Sequence, residues 1–227
     1  MTTEIVTKYD EICIQENINL YGSEHGKVIP ILEKRQYIKI DHVEFSYGVY
    51  RDKVIITFAG SDEWSDWIDD FKFWKTKDKL GTILAHIHHG FDEQYEAVRK
   101  RVTDLINDFK LDDFIISGHS LGGAIATCMA LDYIGKKKFS LTTFGSPRVM
   151  DYKTATYFNN NVKNSKRFVY KNDLVTHVPT ALMSFYHIDT LIPLGKKSFW
   201  NTINPYGSAE DHEPTNYLNE IKKILTK

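Results

Sequence analysis

Phe114-Ile115-Ile116-Ser117-Gly118-His119-Ser120-Leu121-Gly122-Gly123-Ala124 is the stretch whose reading decides the fold. Aromatic and β-branched residues lead into it, a serine flanked by glycines forms its centre, and Ala124, Ala126, Ala130 and Leu131 follow on a small-residue helix. The pattern predicts a buried strand, a tight turn and a helix. A serine at the tip of such a turn sits in strained backbone with its hydroxyl presented outward. The turn needs glycine two positions before and two after, where a side chain would collide with the neighbouring strand and helix. Gly118 and Gly122 occupy those positions. A chance G-x-S-x-G in a loop is the plainer reading of the pentapeptide alone, and its strand–turn–helix surroundings argue against that reading.

Working outward, Val43–Tyr50 and Lys53–Phe58 read as strands joined by a tight turn at Arg51-Asp52. Phe91, Tyr95, Val98, Val102, Leu105, Ile106 and Phe109 recur at helical spacing ahead of the serine strand. Phe139–Phe144 is a further strand ending at Gly145-Ser146-Pro147, Arg167–Tyr170 is another, and Tyr186–Thr190 alternates like a strand. A helix over Tyr217–Leu225 closes the chain behind Pro214. The first forty residues, with apolar positions from Ile12 to Leu32, suggest an N-terminal helix leaning on the sheet. Strands alternating with helices imply an α/β protein with a mostly parallel central sheet and helices on both faces. A chain of 227 residues is expected to form one domain spanning 1–227.

The formal net charge of −1, with acids and bases interspersed, gives no footprint for nucleic acid. The first residues lack the pattern of a secretory leader and no apolar run reaches membrane-spanning length, so a cytoplasmic location is expected. Cys13 and Cys128 are the two cysteines, and no disulfide is expected between them. His86, His88 and His89 resemble a metal cluster, but alternation puts His89 on the opposite face of an extended segment and nothing completes a tetrahedral set. No metal and no cofactor is expected. Lys136-Lys137-Lys138 reads as a solvated basic run.

A serine hydroxyl is a poor nucleophile at its free pKa, so Ser120 predicts a histidine base and an orienting carboxylate downstream of it. Asp173 follows the strand Arg167–Tyr170 and sits where strand ends build such sites; its plainer role is a turn aspartate. Asp151 and Asp189 are weaker alternatives. For the base, His212 lies in a polar loop feeding the last helix, with His177 and His187 as competitors. His119 adjoins the serine, but its side chain is expected to diverge from it. Two N–H donors must also face the developing oxyanion: Leu121 after the nucleophile, and Ser61 in the loop that follows Val54–Phe58. Ser61 also suits a plain helix cap.

With these pieces in place, the chain resembles the class 3 lipases, which adopt the α/β-hydrolase fold. Gly118-His119-Ser120-Leu121-Gly122-Gly123 resembles the family's elbow, and Phe58-Ala59-Gly60-Ser61 with Asp66-Trp67 and Asp70 resembles its oxyanion loop. His89-Gly90-Phe91 with Tyr95, Thr143–Arg148, Arg167 through Asp173 to Pro179, and His212 with Tyr217 resemble four further segments. The resemblance covers roughly residues 45 to 225. It implies a triad of Ser120, Asp173 and His212, with Ser61 and Leu121 at the oxyanion hole. Ala59 stands where the family often has arginine, and the run from Asp173 to His212 is short, which points to a shallow acyl groove.

The family's lid corresponds to residues 62–74, where Trp64, Trp67, Ile68 and Phe71 fall on one helical stripe opposite an acidic face. Such a helix would cover the site in water and turn toward a lipid surface; the alternative is a fixed helix packed on the core. Phe71-Lys72-Phe73-Trp74 reads as core or acyl-pocket lining. The expected activity is hydrolysis of carboxylic esters of acylglycerols or phospholipids, with a lipid or ester as the partner, transient contact with a lipid surface, and no nucleic acid or obligate protein partner. A thioesterase or peptidase on the same fold, or a non-catalytic binding protein, are the rivals.

Overall fold

A computed structural model describes residues 5–22, 28–61, 75–80, 83–188, 190–196 and 208–227. Its strands are β1 (Glu33–Ile40), β2 (Val43–Tyr50), β3 (Lys53–Phe58), β4 (Lys75–Leu80), β5 (Ile83–His88), β6 (Asp113–His119), β7 (Lys138–Phe144), β8 (Ser165–Tyr170) and β9 (Leu191–Leu194). Its α-helices are α1 (Lys8–Gly22), α2 (His89–Asp108), α3 (Leu121–Tyr133), α4 (Tyr152–Asn161) and α5 (Pro214–Leu225).

Seven strands form one sheet in the order β1-β2-β3-β6-β7-β8-β9, and β4 pairs with β5 apart from it. The first three strands are antiparallel, with Arg51-Asp52 turning the β2–β3 hairpin, and from β3 to β9 every pairing is parallel. Because side chains alternate across a strand, each central strand feeds two cores. Ile56, Phe58, Phe114, Ile116 and Leu141 join the core under α2, α3 and α4, whereas Ile55, Ile115, Phe144, Phe168 and Ile192 join the core under α1 and α5. Helices therefore cover both faces, the arrangement of an α/β-hydrolase fold.

Several local expectations shift. The N-terminal helix ends at Gly22, and Glu33–Ile40 is the edge strand β1. Polar residues are largely exposed along β1, so it carries no strong apolar signal. Phe109 falls one residue beyond α2 and stays 56% exposed, so the buried stripe stops at Ile106. The strand expected at Tyr186–Thr190 is displaced: Tyr186 makes a single bridge to Met150, and the regular strand is Leu191–Leu194. The basic run is ion-paired, with Lys136 on Asp132, Lys137 on Asp112 and Lys138 on Asp113. Cys13 and Cys128 are both buried free thiols. The candidate lid at 62–74, which includes Phe71-Lys72-Phe73-Trp74, lies outside the described residues, as does Asp189.

Helix α1 is held in an unusual way for a surface helix, because Asp10, Gln15, Glu16, Asn17 and Asn19 are all buried on it. Buried polar groups must be satisfied. Glu16 Oε1 accepts from Arg35 Nε at 2.5 Å and from Ser46 Oγ at 2.6 Å. Asp10 pairs with Lys166 at 2.7 Å, and Asn17 Nδ2 donates to Cys13 O at 2.8 Å and to Ser117 Oγ on β6 at 3.3 Å. These bonds fix α1 in rotation and register against the strand that carries the serine.

Candidate functional site

The C-terminal ends of the parallel strands carry the site, as chain geometry favours in open α/β sheets. Ser120 follows β6 directly and caps α3 with φ 57° and ψ −130°, the left-handed turn that presents its side chain outward from the sheet. The turn is possible because two backbones come into near contact. A Cβ at Gly118 would lie 2.1 Å from Gly122 O, and one at Gly122 would lie 2.2 Å from Phe58 O. Ser120 N donates to Phe144 O at 3.0 Å, tying the turn to β7. Among the described residues Ser120 Oγ has no hydrogen-bond partner.

Asp173 emerges after β8 and caps the short 3₁₀ turn Leu174–His177, its Oδ1 accepting the Val175 N–H at 2.9 Å. Its loop is stitched to the segment before His212, with Ser208 N donating to Asn172 O at 2.8 Å and Leu174 N to Ser208 O at 3.2 Å. A 3₁₀ turn over Glu210–His212 then swings the imidazole inward, and His212 Nδ1 lies 2.9 Å from both carboxylate oxygens of Asp173. A carboxylate accepts, so Nδ1 carries the proton and Nε2 of the neutral ring is the basic nitrogen. Tyr217 on α5 donates its hydroxyl to Asp173 Oδ2. Asp173 and His212 are both buried.

The structure thus joins Asp173 and His212 directly. A Cβ at Gly60 would lie 3.0 Å from Ser120 Cβ and 2.9 Å from His119 O, so the loop after β3 closes over the serine turn. The next residue, Ser61, lines a cleft of about 310 Å³ together with Ile18, Tyr21, His119, His212 and Pro214. Leu121 is the first residue of α3, where backbone N–H groups have no acceptor within the helix and the helix dipole favours negative charge.

Two of the competing residues, Asp151 and His187, have side chains engaged elsewhere. Asp151 caps α4 through the Thr154 N–H at 2.8 Å and meets His86 at 3.0 Å; burial opposes its ionisation, but these bonds hold its carboxyl below the usual range. The carbonyl of His177 accepts from Arg148, and His187 Nε2 donates to Thr176 O at 2.8 Å. His88 packs between Phe91 and Phe185 while His89 opens α2, and no metal-holding cluster of histidine, cysteine and acids occurs among the described residues.

Sequence reasoning missed His119 and Tyr21. The His119 ring stacks on that of His212 with centroids 4.5 Å apart and 28° between planes, so it turns beneath the second histidine rather than away from the site. Its Nε2 donates to His212 O at 2.8 Å, and its Nδ1 accepts from Tyr21 OH at 2.7 Å. Burial pushes the His119 pKa well below the ordinary value, and the neighbouring His212 adds to the fall. No local pattern announces Tyr21, because the buried residues of α1 mix polar and apolar types.

Comparison with known proteins adds to this geometry. The family model for lipase (class 3) matches residues 55–183. A secreted mono- and diacylglycerol lipase 1 from Fusarium solani is 31% identical over 144 residues, 60% of this chain and 42% of that protein. A secreted mono- and diacylglycerol lipase A from Penicillium camembertii is 30% identical over 165 residues, 70% of this chain and 51% of that protein. The chain spans about half the length of these curated relatives. The structure of the triacylglyceride lipase of Rhizomucor miehei superposes with a TM-score of 0.74 at 22% identity, covering 90% of this chain and 92% of that one. The expected cytoplasmic location does not stand: these relatives are named as secreted enzymes, whereas that expectation rested on the absence of a leader pattern in the first residues and of a membrane-spanning apolar run. A family match over more than half the chain, carried on a superposable sheet with a serine turn at its centre, makes this chain a member of the class 3 lipase family.

Proposed function

We propose that the protein hydrolyses carboxylic esters of acylglycerols through an acyl-enzyme on Ser120. The observation that carries this reading is the bond from His212 Nδ1 to the Asp173 carboxylate at 2.9 Å, taken with the serine turn at φ 57°. In this reading His212 Nε2 takes the Ser120 proton as Oγ attacks the ester carbonyl. The tetrahedral oxyanion lies against the backbone N–H groups of Ser61 and Leu121. Collapse breaks the ester C–O bond, and His212 returns the proton to the departing alcohol. Water then repeats the cycle on the acyl-serine, releasing the fatty acid and restoring Ser120. Asp173 holds the imidazole tautomer and balances its transient positive charge. The chemistry draws on side chains, backbone and water alone.

The names of the Fusarium and Penicillium relatives support acylglycerols as the substrate class, and the whole chain is taken as one hydrolase domain. The test is hydrolysis of chromogenic esters from two to sixteen acyl carbons, beside mono-, di- and triacylglycerols, phospholipid, a thioester and a peptide. The wild type is expected to prefer acylglycerol esters and Ser120→Ala to lose about 10³-fold or more. Turnover confined to the thioester or peptide, or an unaffected alanine variant, would overturn the reading.

A further inference from the structure

Helix α1 lies upstream of the matched residues 55–183, yet two of its side chains reach the serine strand. Asn17 and Tyr21 are one helical turn apart and therefore share a face. Ser117 and His119 are two apart on β6 and share a face of the sheet. Asn17 Nδ2 reaches Ser117 Oγ at 3.3 Å, and Tyr21 OH reaches His119 Nδ1 at 2.7 Å. The two contacts run in register toward Ser120.

We propose that Tyr21 and His119 are positioning residues for the His212 base, so that α1 is a working part of the active site. This rests on His212 being the general base. The argument begins with proton placement. A backbone carbonyl only accepts, so the 2.8 Å contact between His119 Nε2 and His212 O requires the proton on Nε2. The opposite nitrogen must then accept, and the Tyr21 hydroxyl supplies the donor. The His212 carbonyl therefore selects the Nε2–H tautomer of His119, and the Tyr21 hydroxyl satisfies the remaining ring nitrogen and anchors the ring to α1.

The same ring is stacked on the His212 imidazole at 4.5 Å, which fixes the tilt of the base as well as its backbone. Asp173 already fixes one edge of that imidazole. An in-plane bond and a stacked plate together leave the ring little freedom, and near-attack geometry is sensitive to ångström-scale error. The plate must also stay uncharged, since a cation stacked on His212 would oppose the imidazolium that forms in the reaction. Among the described residues, the rings facing His119 are those of Tyr21 from α1, Tyr217 from α5 and His212, none of them a fixed charge. Burial and His212 keep His119 well below its ordinary pKa.

The test uses the full-length protein and Tyr21→Phe, which keeps the ring and removes the donor. Expected are a fall in kcat of about 10-fold with KM for a soluble short-chain ester unchanged, the size of one lost buried hydrogen bond. Complete end-point labelling of Ser120 by a fluorophosphonate probe should accompany it, excluding a misfolded fraction. Nitrogen-15 NMR of histidine-labelled wild type should show His119 as the Nε2–H tautomer, with the Nδ1 resonance shifted in the variant by loss of the tyrosine donor. An unchanged kcat, or a raised KM with kcat intact, overturns the proposal. So does an Nδ1–H tautomer in the wild type, a readout that stands even if the variant does not fold. Failure of the underlying reading shows itself separately, as fluorophosphonate labelling that survives Ser120→Ala.

Discussion

The Tyr217 hydroxyl donates to Asp173 Oδ2, one of the two carboxylate oxygens that face His212 Nδ1. Oδ1 takes the Val175 N–H, so backbone, phenol and imidazole together saturate the buried acid. Burial, reinforced by the adjacent carboxylate charge, pushes the Tyr217 pKa well above its ordinary value, and the phenol remains a donor across the working range. Tyr217→Phe leaves part of a buried charge unsatisfied. The expected cost is about 1–3 kcal/mol of stability, read from urea unfolding, with a fall in kcat of no more than about tenfold because the imidazole bond remains.

Gly145 lies at the end of β7 with φ +56°, in backbone that favours glycine. A Cβ there would sit 2.6 Å from Asp173 Oδ2 and 3.0 Å from His212 Nδ1. Gly145→Ala must either strain the turn or separate the acid from the base. Steady-state kinetics are expected to show a loss of about 10²-fold or more in kcat, since small displacements of catalytic groups cost about that much. Wild-type kinetics in this variant would mean that the Asp173–His212 contact tolerates displacement.

The parallel core was legible because β6 carries the buried run Phe114-Ile115-Ile116, β7 is rich in aromatic and β-branched residues, and the Gly118–Gly122 spacing marks a close backbone approach. Asp173 and His212 could be chosen because each sits in a polar loop next to an identifiable element, the first after the strand Arg167–Tyr170 and the second before the last helix. Edge strand β1 could not, since its exposed polar residues carry no burial pattern, and α4 buries only Thr154, Ala155 and Phe158. The role of α1 was hidden for a different reason: its inward face mixes Ile12, Cys13, Ile14 and Leu20 with buried polar residues, so contacts such as Asn17–Ser117, 100 residues apart in sequence, leave no periodic trace.

His119 and His187 are both kept neutral by the fold. Burial is the main cause at each, aided by His212 beside His119 and by Arg167 beside His187, and both pKa values lie well below the ordinary one. In the unfolded chain each titrates near about 6.5. Between that value and the lower folded values the unfolded chain binds more protons, so stability rises with pH. The contribution is fully present above about pH 6.5 and is lost as pH falls through the folded values. Two protons set a maximum slope of about 2.7 kcal/mol per pH unit. Urea midpoints are expected to fall steadily on acidification below about pH 6.5, and His187→Gln should make the fall shallower. A midpoint that stays flat would show that both rings take up protons without unfolding.

Asp132 joins the elbow helix α3 to α2 from a buried position. It accepts from Tyr95 OH at 2.9 Å, from Arg99 Nε at 2.8 Å and Nη2 at 3.1 Å, and from Lys136 Nζ at 2.7 Å. Burial and the Asp132 charge raise the Tyr95 pKa well above normal, so the phenol stays a donor. Asp132→Ala would leave Tyr95 OH without its acceptor and Arg99 with its bond to Glu96 at 2.7 Å, and an unsatisfied buried group costs about 1–3 kcal/mol. For a chain of 227 residues that corresponds to a fall in Tm of about 2–12 °C. Because the damage comes from the stranded partner, the double variant Asp132→Leu with Tyr95→Phe is expected to recover much of the loss in a calorimetric scan. A double variant no more stable than Asp132→Ala would instead assign the cost to packing between α2 and α3.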